Sequence, residues 1–145
     1  MTRARISLCA LALTVVLPLA ACADASSGAA TGGAGTKVTV TLTDNAIELS
    51  EPSAVAGKVT FEVVNKGTAV HSLVLIRTDL PHDKIPADPK NDAKVDEKGS
   101  IVSSGQLAVA QSKSFSRDLK AGSYVLVCNE PAHYLVGMHV GFVVG

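Results

Sequence analysis

The chain has 145 residues, which is room for one ordinary domain. Apolar residues make up 47% of it, but aromatic residues only 3% and tryptophan is absent, so its core must be mostly Val, Leu and Ile. Thirteen basic residues balance thirteen acidic ones. No basic run with interleaved aromatic residues occurs, so nucleic acid is not expected to be a partner.

The N-terminal segment has the pattern of a secretory leader. Arg3 and Arg5 are followed by an uncharged, mostly apolar stretch that is too short for a permanent transmembrane helix. The stretch ends in the motif LAAC, which resembles the lipobox of bacterial lipoproteins. The resemblance implies that residues 1–21 are a signal peptide and that Cys22 is diacylated. An ordinary small-residue cleavage site that contains a Cys is the alternative.

Residues 22–35 are expected to comprise the lipidated Cys22 and a flexible tether. Apart from Asp24, the tether contains only Ala, Gly, Ser and Thr, a composition that cannot bury a core. The remaining domain, residues 36–145, is therefore expected to be extracytoplasmic and held at the cell membrane by its lipid, on the periplasmic or cell-surface side.

The domain itself has the period-two pattern of half-buried β-strands. Alternation is clearest at Val38, Val40 and Leu42, and again from Val59 to Val63, while turn signals separate these segments from others. Nearly continuous β-favouring runs extend over His71–Ile76 and Tyr124–Cys128. We predict an all-β fold, a Greek-key β-sandwich of about seven to eight strands.

One segment departs from this pattern. Residues 78–100 carry ten charged residues and three prolines, and loops of such length are usually functional or mobile. We expect a polar insertion loop on the flank of the sandwich, with a partner-docking flap as the alternative. His82, which lies within it, is expected to be a solvated side chain.

A single cysteine remains in the domain. Cys9 lies in the leader and Cys22 would carry the lipid, so Cys128 has no partner in a compartment where thiols normally pair. A buried structural thiol is one explanation, and a metal thiolate is the other.

The neighbours of Cys128 favour the metal. Together with His133 and Met138 it forms the pattern C-x4-H-x4-M at the end of an apolar strand. Thiolate and thioether donors are soft and favour copper, and two His, one Cys and a long axial Met form the blue-copper arrangement. His71, at the start of another apolar strand, supplies the second imidazole.

These motifs resemble the cupredoxins, the type 1 (blue) copper proteins, and the loop spacing is that of the rusticyanin and sulfocyanin branch. The resemblance covers residues 36–145. It implies that one copper ion is held by His71, Cys128, His133 and Met138 and that the protein carries single electrons between redox partners of the cell envelope. It also implies that Ser72 helps to fix the thiolate by hydrogen bonding.

Two positions depart from the family. Ala132 stands where the family usually has Gly, so the loop is expected to differ locally if that position needs a positive φ. His139 follows Met138 and should point away from the metal, since neighbouring strand residues face opposite sides. Tyr124 is expected to be a core residue with a bonded hydroxyl.

Other functions compete with electron transfer. A copper nitrite reductase or multicopper oxidase fragment would need further His-rich sites, and the four His of the chain form no H-x-H pair, so no enzyme and no small-molecule substrate is expected. A copper carrier in copper homeostasis remains the main alternative, although such proteins usually have Met- or His-rich tracts. A metal-free interaction domain would be expected to lack one of the ligands.

Overall fold

The computed structural model describes residues 35–145, and the predicted signal peptide, Cys22 and all but the last residue of the tether lie outside the described residues. Within the described part there are eleven strands, and no helix there is long and apolar enough to cross a membrane. The strands are β1 (Thr36–Leu42), β2 (Ile47–Leu49), β3 (Ser53–Ala54), β4 (Gly57–Asn65), β5 (His71–Arg77), β6 (Ala87–Asp88), β7 (Asn91–Val95), β8 (Ser100–Leu107), β9 (Ser112–Leu119), β10 (Gly122–Val127) and β11 (His139–Val144).

Nine of these strands form two sheets. The first sheet has the order β2-β1-β4-β9 and the second has the order β3-β11-β10-β5-β8. β1 is parallel to β4 and β3 is parallel to β11. The other neighbouring pairs in the two sheets are antiparallel. The chain thus crosses repeatedly from one sheet to the other, which is the behaviour expected of a β-sandwich.

The core lies between the two sheets and follows from the period-two pattern. In β4 every second side chain, including Val59, Phe61 and Val63, is buried. The ring of Phe61 lies 5.6 Å from those of Phe115 in the first sheet and Phe142 in the second, measured between centroids. A fully buried side chain of this size stabilises the fold by about 1.5–3 kcal/mol, so Phe61 is a main contact between the sheets.

A second, smaller core covers the outer face of the five-stranded sheet. The segment between β5 and β8 forms the antiparallel hairpin β6–β7, here called the insertion hairpin. Two apolar side chains from this segment, Ile85 and Val95, are buried against the outward-facing residues of β5 and β10 and against one residue of the following loop: Val74, Ile76, Val125, Val127 and Tyr134. β5 and β10 are therefore buried on both faces, which explains their nearly continuous apolar sequences.

The all-β prediction is confirmed, although the number of strands is larger than the seven to eight expected. The additional strands are short or lie in polar sequence: β2, β3 and β6 have two or three residues each, and β7 belongs to the charged segment. Residues 78–100 do not form a solvated loop throughout, because two of their apolar side chains, Ile85 and Val95, attach the insertion hairpin to the sheet.

Candidate metal centre

Three hydrogen-bonded strands bring the predicted ligands to one end of the second sheet. His71 is the first residue of β5, and Cys128 directly follows β10. The loop from Cys128 to β11 carries His133 and Met138. Because β10 pairs with both β5 and β11, with Val127 opposite both Val74 and His139, the start of β5 and this loop lie side by side.

The donor atoms of the first three residues converge. His71 Nδ1 lies 3.0 Å from His133 Nδ1, and Cys128 Sγ lies 3.7 Å from His71 Nδ1 and 3.4 Å from His133 Nδ1. Donors bound about 2.0–2.3 Å from one ion are roughly 3–4 Å from each other. These three atoms therefore have the spacing of the ligands of one metal ion.

The centre is enclosed on all but one side. His71, Cys128 and Met138 are 0% exposed, whereas His133 is partly exposed. Met138 belongs to the same core cluster as Cys128, and its backbone carbonyl accepts a hydrogen bond from the Cys128 N–H while its own N–H donates to the His133 carbonyl. The loop is thus closed on itself, with His133 at the solvent edge.

The ring of His71 lies beside a residue that the sequence analysis did not identify, Asp44. Its Nε2 is buried without a hydrogen-bond partner of ordinary geometry among the described residues, and it faces Asp44 Oδ1 at 3.5 Å. We assign the ring proton to Nε2, since this leaves the Nδ1 lone pair free to face Cys128 and His133. Hydrogen bonds from the backbone N–H and hydroxyl of Thr68 lower the pKa of Asp44, which keeps it a carboxylate.

Gly67 is a second residue that the sequence analysis did not assign to the site. A Cβ at this position would lie 2.5 Å from both Asp44 Oδ1 and His71 Nε2. Such a contact is far shorter than van der Waals packing allows, so only glycine lets the Asp44 loop approach the imidazole. The pair Lys66-Gly67 is typical of a turn, but nothing in the sequence shows that this turn lies close to Asp44.

The fold of the domain is shared with blue copper proteins. An auracyanin from Roseiflexus castenholzii superposes with a TM-score of 0.60 at 25% identity, covering 78% of this chain and 99% of that one. Auracyanin A, a blue copper protein from Chloroflexus aurantiacus, superposes with a TM-score of 0.51 at 19% identity, covering 75% of this chain and 99% of that one. The domain has the cupredoxin fold. Rusticyanin from Thiobacillus ferrooxidans superposes with a TM-score of 0.54 at 21% identity, covering 77% of this chain and 79% of that one.

No family model matches the sequence, and no curated protein sequence matches it significantly. The sulfur of Cys128 and the two imidazoles of this domain fit the donor set of a type 1 copper site.

The environment of Cys128 holds its sulfur in place. The backbone N–H of Ser72 donates a hydrogen bond to Cys128 Sγ over 3.3 Å, so Ser72 contacts the sulfur through its main chain. Burial raises the pKa of the Cys128 thiol, and hydrogen bonds from the backbone N–H groups of Ser72 and Glu130 oppose this rise. A bound cation would favour the thiolate that these two N–H groups already face.

The partly exposed imidazole differs from the buried one in its surroundings. Burial lowers the pKa of His133, and the neighbouring His71 lowers it further, while Glu130 and Asp44 act in the opposite direction. A neutral imidazole has one unprotonated ring nitrogen available as a donor. The lowered pKa therefore favours the form of His133 that binds metals.

The insertion hairpin holds the ligand loop through Asn129 and Ala132. The Asn129 side chain accepts a hydrogen bond from the Val95 N–H at 2.8 Å and donates to the Val95 carbonyl at 3.2 Å, so it acts as a strand partner for β7. The N–H of Ala132 donates to the Ala93 carbonyl at 2.7 Å. The positions of Cys128 and His133 thus depend on a segment that the sequence analysis treated as a flank.

Both departures from the family pattern are explained by the geometry. Ala132 has a φ of 67°, so this position does need the left-handed conformation, and the chain adopts it with alanine at a cost of about 1–2 kcal/mol. His139 does not join the donor atoms near Cys128. Its ring instead lies against those of Tyr134 and His82, as the strand alternation predicts.

Tyr124 has the role expected from the sequence. It is buried in the core, and its hydroxyl donates to the Lys120 carbonyl at 2.7 Å. His82 is exposed, as expected, but it contacts His139 and does not stand alone in solvent.

Proposed function

We propose that this protein is a mononuclear type 1 copper protein that carries single electrons, with His71, Cys128, His133 and Met138 as its ligands. The proposal is supported chiefly by the convergence of one thiolate sulfur and two imidazole nitrogens to within 3.0–3.7 Å of each other. A bound copper ion would supply the exchange between Cu(I) and Cu(II).

The residues of the site are suited to electron transfer because they are held rigidly. His71 begins a strand that has a neighbour on each side in its sheet, and hydrogen bonds connect the ligand loop to itself and to the insertion hairpin. Ligands that are fixed in this way move little when the charge of the site changes, so the reorganisation on electron transfer is small. The buried side chains of Cys128 and Met138 exclude water from the site.

The partly exposed His133 is the proposed point of electron entry and exit. It is followed in the loop by Leu135 and Val136, which are 68% and 58% exposed. An exposed apolar surface beside the imidazole suits brief contact with a redox protein, because apolar patches on a soluble domain mark interaction surfaces. We propose that these partners belong to the cell envelope.

We also propose that the domain is extracytoplasmic and held at a membrane by a lipid on Cys22. The support is the sequence of the leader, its LAAC end and the Ala/Gly/Ser/Thr tether that follows. A Cys22→Ala variant should be released from the membrane fraction with its colour intact. A wild-type protein that is already soluble after secretion would contradict the anchor without affecting the copper assignment.

The copper assignment is tested by absorption and EPR spectra of the protein loaded with one equivalent of Cu(II). We expect an intense visible band from thiolate-to-copper charge transfer and its loss in Cys128→Ser. Cys22→Ser is the matched control, since it removes a cysteine from outside the domain and should leave the band unchanged. A colourless wild-type protein, or a band that survives in Cys128→Ser, would refute the assignment.

Electron transfer is separated from copper delivery by the fate of the metal. A carrier of electrons should show rapid electron self-exchange and slow loss of copper to a chelator in both oxidation states. Rapid release of Cu(I) to a competing ligand, together with slow self-exchange, would instead support a role in copper homeostasis. His133→Gly opens the partly exposed edge and should accelerate copper loss.

A further inference from the structure

The four histidines of the chain form two facing pairs, and only one pair belongs to the site described above. The second pair is His82, from the segment that leads into the insertion hairpin, and His139, the first residue of β11. Their Nδ1 atoms lie 2.7 Å apart although 57 positions separate the residues in the sequence. We call this pair the outer histidine pair.

The two pairs have similar geometry. In the proposed copper site the Nδ1 atoms are 3.0 Å apart and the ring centroids 4.8 Å apart. In the outer histidine pair the corresponding distances are 2.7 and 4.9 Å. Two nitrogen lone pairs repel at this distance unless a proton or a metal cation lies between them, so the outer pair has the spacing of two ligands of one ion.

The surrounding residues hold both rings in place. The buried hydroxyl of Tyr134 donates to the His82 carbonyl and accepts from the Ile85 N–H, while its ring lies 4.8 Å from that of His139. Gly141, two residues along β11 on the same face as His139, lies beside the His82 ring, and even a Cβ there would make only an ordinary contact with His82 Cδ2, at 3.7 Å. Neither imidazole has to be reoriented for its Nδ1 to face the other.

The chemistry of the outer pair differs from that of the first site. It offers two imidazole nitrogens with no thiolate or thioether, and it lies at the surface, with His82 exposed and His139 partly exposed. Imidazole donors suit Cu(II), Zn(II) and Ni(II), with Cu(II) bound most strongly of the three, whereas Cu(I) prefers sulfur. Solvent can reach the pair and complete the coordination.

We propose that His82 and His139 form a second metal site, which binds a divalent transition-metal ion at the surface of the domain. The ion would join the insertion segment to β11, two elements that also pack around the ligand loop. The site does not depend on the identity of the metal held by Cys128.

The test is a titration of the copper-loaded protein with Zn(II), followed by isothermal calorimetry. We expect one Zn(II) per chain in the wild type, with affinity reduced about tenfold or more in His82→Ala and in His139→Ala. The visible band of the first site should persist in both variants, which shows that they are folded. Tyr134→Phe, which keeps both ligands but loses the bond to the His82 carbonyl, should weaken binding less than either ligand variant.

A further equivalent of Cu(II) provides an independent readout. It should give an EPR signal distinct from that of the first site, with superhyperfine structure from nitrogen, and both histidine variants should lack it. His133→Ala is the reciprocal control, because it should alter the visible band while the outer pair still binds its ion. The proposal is overturned if the wild type binds no Zn(II), or if either ligand variant binds Zn(II) as the wild type does; the outer pair would then share a proton only.

Discussion

The contact between Asn129 and β7 allows a quantitative test of how the insertion hairpin supports the ligand loop. Asn129 is 5% exposed, and its side chain makes two hydrogen bonds with the backbone of Val95 and a third with the Glu97 carboxylate. In Asn129→Ala all three bonds are lost, and the N–H and carbonyl of Val95 remain buried without their partner.

The expected cost follows from the burial of these groups. A buried donor without a partner costs about 1–3 kcal/mol, while an ordinary hydrogen bond contributes about 0.5–1.5 kcal/mol. We take about 2 kcal/mol for the Val95 N–H and about 1 kcal/mol for its carbonyl together with the exposed Glu97 contact. A loss of about 3 kcal/mol lowers the melting temperature of a domain of this size by roughly 12 °C.

The measurement is thermal unfolding of the metal-free protein followed by circular dichroism, so that copper binding does not contribute to stability. Glu97→Ala is the matched control. It removes only the third hydrogen bond, at an exposed position, and should lower the melting temperature by a few degrees at most. In the copper-loaded protein Asn129→Ala should also release copper to a chelator faster, because Asn129 adjoins Cys128.

Two results would refute this reasoning. If Asn129→Ala and Glu97→Ala destabilise the metal-free protein equally, the bonds to Val95 contribute nothing specific. If Asn129→Ala is strongly destabilised but loses copper at the wild-type rate, the insertion hairpin stabilises the sheet without holding the ligand loop.

Three further substitutions test individual residues of the site. Met138→Leu should keep copper and colour, since the axial thioether bonds weakly, but should raise the reduction potential measured by voltammetry; a lower potential would contradict the axial role. Ala132→Gly should relieve the left-handed strain and raise the melting temperature of the metal-free protein by up to a few degrees, because the greater freedom of unfolded glycine offsets part of the gain. Gly67→Ala should displace His71 and weaken the visible band, so an unchanged spectrum would argue against the close packing of this loop.

Much of the sandwich could be predicted because its strands have simple periodicity. The alternation in β1 and β4 gave both the strand type and the buried face. The uninterrupted apolar runs of β5 and β10 were correctly taken as strands, but they also indicate a second covering layer, which was not inferred. The cover is a charged segment with only two buried apolar side chains, Ile85 and Val95, so its packing is not apparent from its composition.

The residues around the predicted ligands were less accessible to sequence reasoning. The motif C-x4-H-x4-M and the upstream His71 identify a set of metal ligands, because their sulfur donors are soft and the four residues follow one another in the expected order. Asp44 and Gly67 cannot be found in this way. Asp44 lies 27 positions before His71 and approaches it only because the two sheets pack together. The contact between His82 and His139 could not be predicted from the sequence for the same reason, since it depends on how the charged segment folds over β11.

The position of β11 has a consequence for how the chain folds. β11 lies between β3 and β10, and its pairing with β3 joins residues about ninety positions apart. The first sheet can be completed once Leu119 has emerged from the ribosome, whereas the second needs the chain as far as Val144. Such distant pairings make folding slow and leave apolar strand edges uncovered in the nascent chain. Because the loop that carries Cys128 and His133 is closed by the same strand, the domain should acquire its capacity to bind metal in the step that completes its core.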